Sequence, residues 1–142
     1  MSGFKGPDHG WQGGGRFRVA RIDGLLLVRF QLLTTNTGKL KTDMGSFFRK
    51  DYRGCRADFR PYDVRIWLSA APNARIDVDN VAKACLDALT GVVWRDDRQV
   101  VRLAVEKSSG DRSAVVLAVK PCDRPTGDET LRRLIEAADN AP

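Results

Sequence analysis

Histidine is almost missing from this 142-residue chain: the single one, His9, lies among the glycines of the N-terminal end. Catalytic triads, zinc sites and general bases built on histidine therefore lose their usual donor, and any hydrolysis must rest on carboxylates and a metal. Cysteine is also sparse. Cys55, Cys85 and Cys122 stand far apart, in an odd number, without the close pairs that hold zinc or close a disulfide framework. They read as reduced thiols. No stretch approaches the roughly 20 consecutive apolar residues of a membrane span. Residues 1–15 lack the contiguous apolar run of a secretory signal, so the expected location is cytoplasmic. Internal repeats are absent as well.

What is present suits one soluble domain: 42% hydrophobic and 30% charged residues, in a chain long enough for one core and too short for two. The formal charge of +6 is uneven, because residues 1–65 hold 13 Lys or Arg against 6 Asp or Glu, whereas the remainder holds 11 against 12. A basic half beside an acidic cluster is the layout of a protein that grips a polyanion and works on it through a bound cation, although an excess of this size also simply maintains solubility.

Residues 1–15, with six glycines and an isolated Trp11, read as a flexible arm. A domain over 16–124 follows. Two apolar runs between Arg16 and Leu33 flank Asp23-Gly24, a hairpin signal because both turn residues tolerate positive φ. Thr34 to Lys41 is polar and turn-rich, and Asp43 to Asp58 has the spacing of a basic helix. Asp63 to Ser69 alternates as a strand. Asn80 to Thr90 is the clearest helix, with Val81, Cys85 and Leu89 four apart and Gly91 as its cap. Gln99 to Lys107 and Ser113 to Lys120 read as a second hairpin around Ser-Ser-Gly-Asp. In 125–142, a capping box of Thr126 and Glu129 precedes an amphipathic helix carrying Leu131, Leu134, Ile135 and Ala138. The expected fold is α/β (α+β), a single domain with a mixed sheet packed by two or three helices.

The chemistry concentrates where an extended segment meets the clear helix. Residues two apart on an extended strand share a side, so Asp77 and Asp79 are expected to converge, and Asp79, Lys83 and Asp87 rise along one helical face. Taken alone, this string is more readily a helix cap followed by a surface ion pair. A second acidic pair, Asp96-Asp97, precedes the next strand, which on returning beside the first would bring a third carboxylate to the same point. Each pair of such charges at about 4 Å repels by roughly 4 kcal/mol at an effective dielectric near 20, so protonation, Lys83 or a divalent cation has to offset it. Oxygen ligands alone favour Mg2+, then Mn2+.

The ordered combination of DVDNVAKACLDALTG from Asp77 to Gly91 and VVWRDDRQVV from Val92 to Val101 resembles the central signature of the RusA-type Holliday junction resolvases. The resemblance implies a RusA-like fold and a homodimeric, magnesium-dependent endodeoxyribonuclease that makes paired nicks in four-way junctions during recombination and repair. Carried over by position, it makes Asp77, Asp79 and Asp97 the metal-binding carboxylates and Lys83 the essential lysine, with Asn80, Asp87 and Asp96 in support. The likeness is weaker in the N-terminal half, where an extra strand from Arg16 to Ile22 stands and residues 34–39 are a remote counterpart, so it bears on catalysis more than on substrate preference. Lys39, Lys41, Arg49, Lys50, Arg53 and Arg56 are the candidate phosphate contacts, and Phe47, Phe48 or Tyr52 would wedge at a branch point unless they pack in the core. Val115, Leu117 and Val119 stand between a dimer interface and the core in the same way. Two other functions share the charge pattern: a non-catalytic nucleic-acid-binding module, and a nuclease acting on flaps or forks.

Overall fold

Asp23 and Gly24 adopt φ of 51° and 80°, the mirror-image turn whose twist matches the strands it joins. They connect β1 (Phe17–Ile22) to β2 (Leu25–Gln31) in register, Ile22 opposite Leu25 and Phe17 opposite Phe30. The hairpin forms as expected. The computed structural model describes residues 10–13, 15–32, 37–124 and 128–142.

Within the segment read as an arm, Gln12 exchanges two backbone hydrogen bonds with Val19, at 2.7 and 2.9 Å, and the Arg29 guanidinium lies 4.7 Å from the Trp11 ring centroid. His9 falls outside the described residues.

Helix α1 (Thr37–Ser46) runs into a π-helical segment, Phe47–Asp51. This replaces the helix expected over 43–58. Helical winding starts within the stretch read as a turn and stops before Tyr52, after which residues 52–57 are irregular. Phe47, Phe48 and Tyr52 are all buried, and their rings pack together with Phe17. They belong to the core, which settles their alternative roles.

Strand β3 (Tyr62–Ala70) leads to α2 (Val78–Leu89) and β4 (Val100–Ser109), which pairs with β3 in parallel. Strand β5 (Ala114–Pro121) then lies antiparallel between β2 and β3, giving the mixed sheet order β1-β2-β5-β3-β4. The expected β4–β5 hairpin is therefore corrected: the connection crosses the end of β3, fastened by the Gly110 amide to the Ala70 carbonyl and the Ala71 amide to Ser113 Oγ. Burial explains the order. Val115, Leu117 and Val119 of β5 are buried and fill the monomer core, whereas β4 carries Arg102, Glu106 and Lys107 and suits an edge.

One sheet face packs on α1 and α2 through Val28, Val64, Ile66, Leu68 and Leu117 against Leu40, Met44, Val81, Cys85 and Leu89. The other carries a small cluster of Ala20, Leu27 and Ala118. Helix α3 (Asp128–Asp139) follows the linker, with Leu131, Leu134 and Ile135 exposed. Thr126, the expected cap residue, falls outside the described residues. No described helix is long and apolar enough to cross a membrane.

Candidate active site

Asp77 caps α2 in extended conformation (φ −93°, ψ 127°), and the helix begins at Val78. Asp79 therefore stands in the first helical turn, where successive residues rotate by about 100°, and the strand-like alternation expected for the pair does not apply. The two residues line neighbouring hollows on either side of the start of α2. Asp77 accepts a hydrogen bond from Asn80 Nδ2 at 3.2 Å and lines a cleft with Thr37, Leu40 and Arg75, on the α1 side. Asp79 lines a shallow groove of about 340 Å³ between α2 and β4, together with Lys83, Asp87 and Asp97 over a floor that includes Leu86, Leu103 and Val105.

Asp97 shares that groove but occupies its far end. Because β3 and β4 are parallel, α2 has to run back along the sheet, and twelve residues at about 1.5 Å each set its N-terminus about 18 Å from its C-terminus. Asp79 sits in the first turn, while Asp97 precedes β4 beyond the last. Among the described residues, no three His, Cys, Asp or Glu side chains gather closely enough to hold one ion. The expected meeting of three carboxylates does not occur within one chain, for this topological reason.

Lys83 reaches Asp87 at 3.6 Å across one helical turn, with 76% of its side chain exposed. It is a solvated ion pair at rest. Asp77, Asp79 and Asp97 are all exposed, and Asp79 has no hydrogen bond or ion pair among the described residues. Their chemistry fits a hard divalent cation: all three are exposed carboxylates, Asp77 bonded to Asn80 and Asp97 beside Asp96 and Arg98.

The turn that carries Asp97 is held more firmly than the acid itself. Asp96 caps a single 3-10 turn (Asp97–Gln99), accepting from the Arg98 amide at 2.9 Å and from its guanidinium at 3.0 Å, and these bonds hold its carboxyl below the usual range. Buried Gln99 accepts from the Arg95 and Asp96 amides, each at 3.0 Å, and donates to the Asp58 and Arg60 carbonyls at 2.8 and 2.9 Å. Asp58 receives the Tyr62 hydroxyl on both oxygens, at 2.8 and 2.9 Å, and the Arg60 guanidinium at 2.8 Å. Burial pushes the Asp58 carboxyl up, but these donors outweigh it and hold it below its ordinary value. Trp94, fully buried, donates to Thr90 Oγ1 at 3.1 Å and packs 5.5 Å from the Tyr62 ring. Sequence reasoning assigns no role to Gln99, Asp58 or Trp94, although Trp94 and Gln99 lie within the signature string from Val92 to Val101. The Asp-x-x-Gln spacing of a capping box was the one local signal for Gln99.

At the other end of the groove, Lys107 Nζ donates to the Ile76 carbonyl at 3.0 Å and ties β4 to the residues just before α2. Lys39 and Lys41 on α1, Arg49 and Lys50 on the π-helical segment, and Arg53 and Arg56 beyond it are all exposed. Lys39 reaches Asp43 at 3.4 Å. A separate cleft of about 180 Å³ is lined by Arg21, Arg56, Arg60, Cys55 and Tyr62. Arg21 donates to the Tyr52 hydroxyl at 2.9 Å and to Cys55 Sγ at 3.3 Å. Burial nevertheless pushes the Cys55 thiol up, so it stays protonated at neutral pH.

No curated protein matches the chain. The family model described as endodeoxyribonuclease RusA matches residues 47–120, from the π-helical segment to Lys120 in β5 and slightly more than half of the sequence. That span contains Asp77, Asp79, Lys83, Asp96, Asp97 and the whole groove between α2 and β4. The chain therefore belongs to the RusA family of endodeoxyribonucleases.

Proposed function

We propose that the protein is a magnesium-dependent, homodimeric resolvase of four-way DNA junctions whose two active sites are each shared between subunits. The observation that carries the reading is the separation of Asp79 and Asp97 along a groove beside an unpaired strand edge. A ten-residue edge without proline is a template for pairing with a second copy. Antiparallel pairing of two β4 strands about Ala104 sets Arg102 opposite the partner subunit's Glu106 and Leu103 opposite the partner subunit's Val105. Opposite charges and apolar side chains thus meet directly. Leu103, 46% exposed in the monomer, gains a cover.

This register also reverses the groove's two ends. The Ser109 end of β4 lies next to Ala70 of β3 and beneath the start of α2, as the bond from Lys107 to Ile76 records. The partner subunit's Val100 would fall opposite Ser108, bringing the partner subunit's Asp97 toward Asp77, Asp79 and Lys83. A two-fold dimer of this kind has two equivalent sites, matching the two symmetry-related phosphates of a junction.

Asp77, Asp79 and Asp97 would hold Mg2+, with Mn2+ as a substitute, and Lys83 would leave Asp87 to face the phosphate. When bound, the cation offsets the repulsion between carboxylates and phosphate, polarises the phosphoryl group and makes a coordinated water more acidic. The exposed cations from Lys39 to Arg56 would supply salt-sensitive affinity for the arms. A cytoplasmic setting agrees with three unbridged cysteines.

Purified protein is expected to nick a synthetic four-way junction in Mg2+, and chelator or Asp79→Asn to abolish nicking while junction binding survives. Preferential cleavage of a flap or fork in a competition assay would redirect the substrate. Undiminished nicking by the Asp79→Asn, Asp97→Asn double variant would remove these carboxylates from the mechanism.

A further inference from the structure

Phe59 is 78% exposed, the most exposed of the large apolar side chains among the described residues. A single apolar residue at a surface is ordinary, and exposure alone would say nothing. Here, however, the backbone on both sides of the residue is hydrogen-bonded in place. On one side the Asp58 amide donates to the Val93 carbonyl, the Asp58 carbonyl accepts from the Arg95 amide, and the Asp58 carboxylate is gripped by Tyr62 and Arg60. Immediately beyond Phe59, the Arg60 carbonyl accepts from Gln99, whose amide also holds the Asp58 carbonyl. Both backbone neighbours of Phe59 are thus clamped by a buried glutamine two residues from Asp97.

The surroundings suit a nucleic-acid base. The Arg95 guanidinium lies 5.5 Å from the Phe59 ring centroid, so one face of the ring is already backed by a cation. Arg98 and Arg60 are exposed nearby through the same bonded turn, and Arg56 lines the adjoining cleft with Arg60. An aromatic ring on a bonded support, backed by Arg95 and with the exposed guanidinium groups of Arg60 and Arg98 held on Asp58 and Asp96 beside it, is an arrangement suited to stacking on an unpaired base. The core aromatics Phe47, Phe48 and Tyr52 are unable to do this, being buried.

We propose that Phe59 is a wedge that stacks on a base freed at the branch point and sets the junction against the turn carrying Asp97. This rests on the junction-resolving reading above and adds the residue that distinguishes branched from linear DNA. Stacking is sequence-tolerant, because every base offers a π face.

The test uses full-length protein and a four-way junction carrying 2-aminopurine beside the crossover, with binding measured in EDTA and nicking in Mg2+. Wild-type protein is expected to raise the fluorescence as the base unstacks from its neighbour. Phe59→Ala should lose that rise, bind the junction about tenfold more weakly and keep its affinity for linear duplex, while Phe59→Trp restores junction binding. Phe59→Ala with an unchanged fluorescence response and unchanged junction affinity would overturn the wedge and leave the nuclease reading intact. Wild-type protein that neither binds nor nicks junctions, with or without Mg2+, would overturn both.

Discussion

Tyr62 gives its hydroxyl to both oxygens of Asp58, and burial, together with that bond, pushes its own ionisation up to about 12. An unfolded tyrosine ionises near 10, so from about pH 10 upward the unfolded chain releases a proton that the folded chain retains. The stabilisation is complete below the unfolded value and is lost as pH rises through the folded one. Urea unfolding should therefore show wild type more stable than Tyr62→Phe by about 1–2 kcal/mol at pH 8, with the difference shrinking by up to about 1.4 kcal/mol for each pH unit above 10. A difference that stays constant to pH 11.5 would contradict this account. The same pair shows what sequence reading misses at this scale. The acids at 77, 79 and 97 stand out in the sequence because acidic pairs flanking a helix form a compact pattern, whereas Gln99 acts on Asp58, 41 residues away, and no local spacing records that partnership.

Among the elements, those with local causes were the most legible. The Asp23-Gly24 hairpin and the amphipathic repeat of α2 follow from turn chemistry and periodicity. The neighbours of β5 do not, because its apolar faces say that it is central without naming the strands beside it. The start of α2 was placed two residues late, so Asp79 stands on the helix rather than on the extended segment that carries Asp77. Helix α3 has the expected amphipathic pattern, yet Leu131, Leu134 and Ile135 are 59%, 63% and 52% exposed, so the helix adds little to the folded core. Truncation after residue 124 should shift the melting temperature by no more than about 2 °C, since a loss of 1 kcal/mol would move it further. A larger fall at equal protein concentration would mean that α3 is docked.

For the molecule as a whole, the distribution of acids between two ends of one groove makes subunit mixing informative. Asp79→Asn and Asp97→Asn are each expected to be inactive alone. In an equimolar mixture that has exchanged subunits, about half the dimers are mixed, and each has one site with all native acids and one with two substitutions, so single nicking returns to about a quarter of the wild-type rate. A mixture as inactive as its components would place each site within one chain. The sheet order has another consequence, for how the chain comes together. Strand β5 joins the β1–β2 hairpin to the β3–α2–β4 unit, yet of the five described strands it is synthesised last. Until it arrives, the nascent polypeptide holds two unjoined pieces with open apolar margins, and their union must await contacts far apart along the chain, a route that favours slow maturation and a need for chaperones during synthesis.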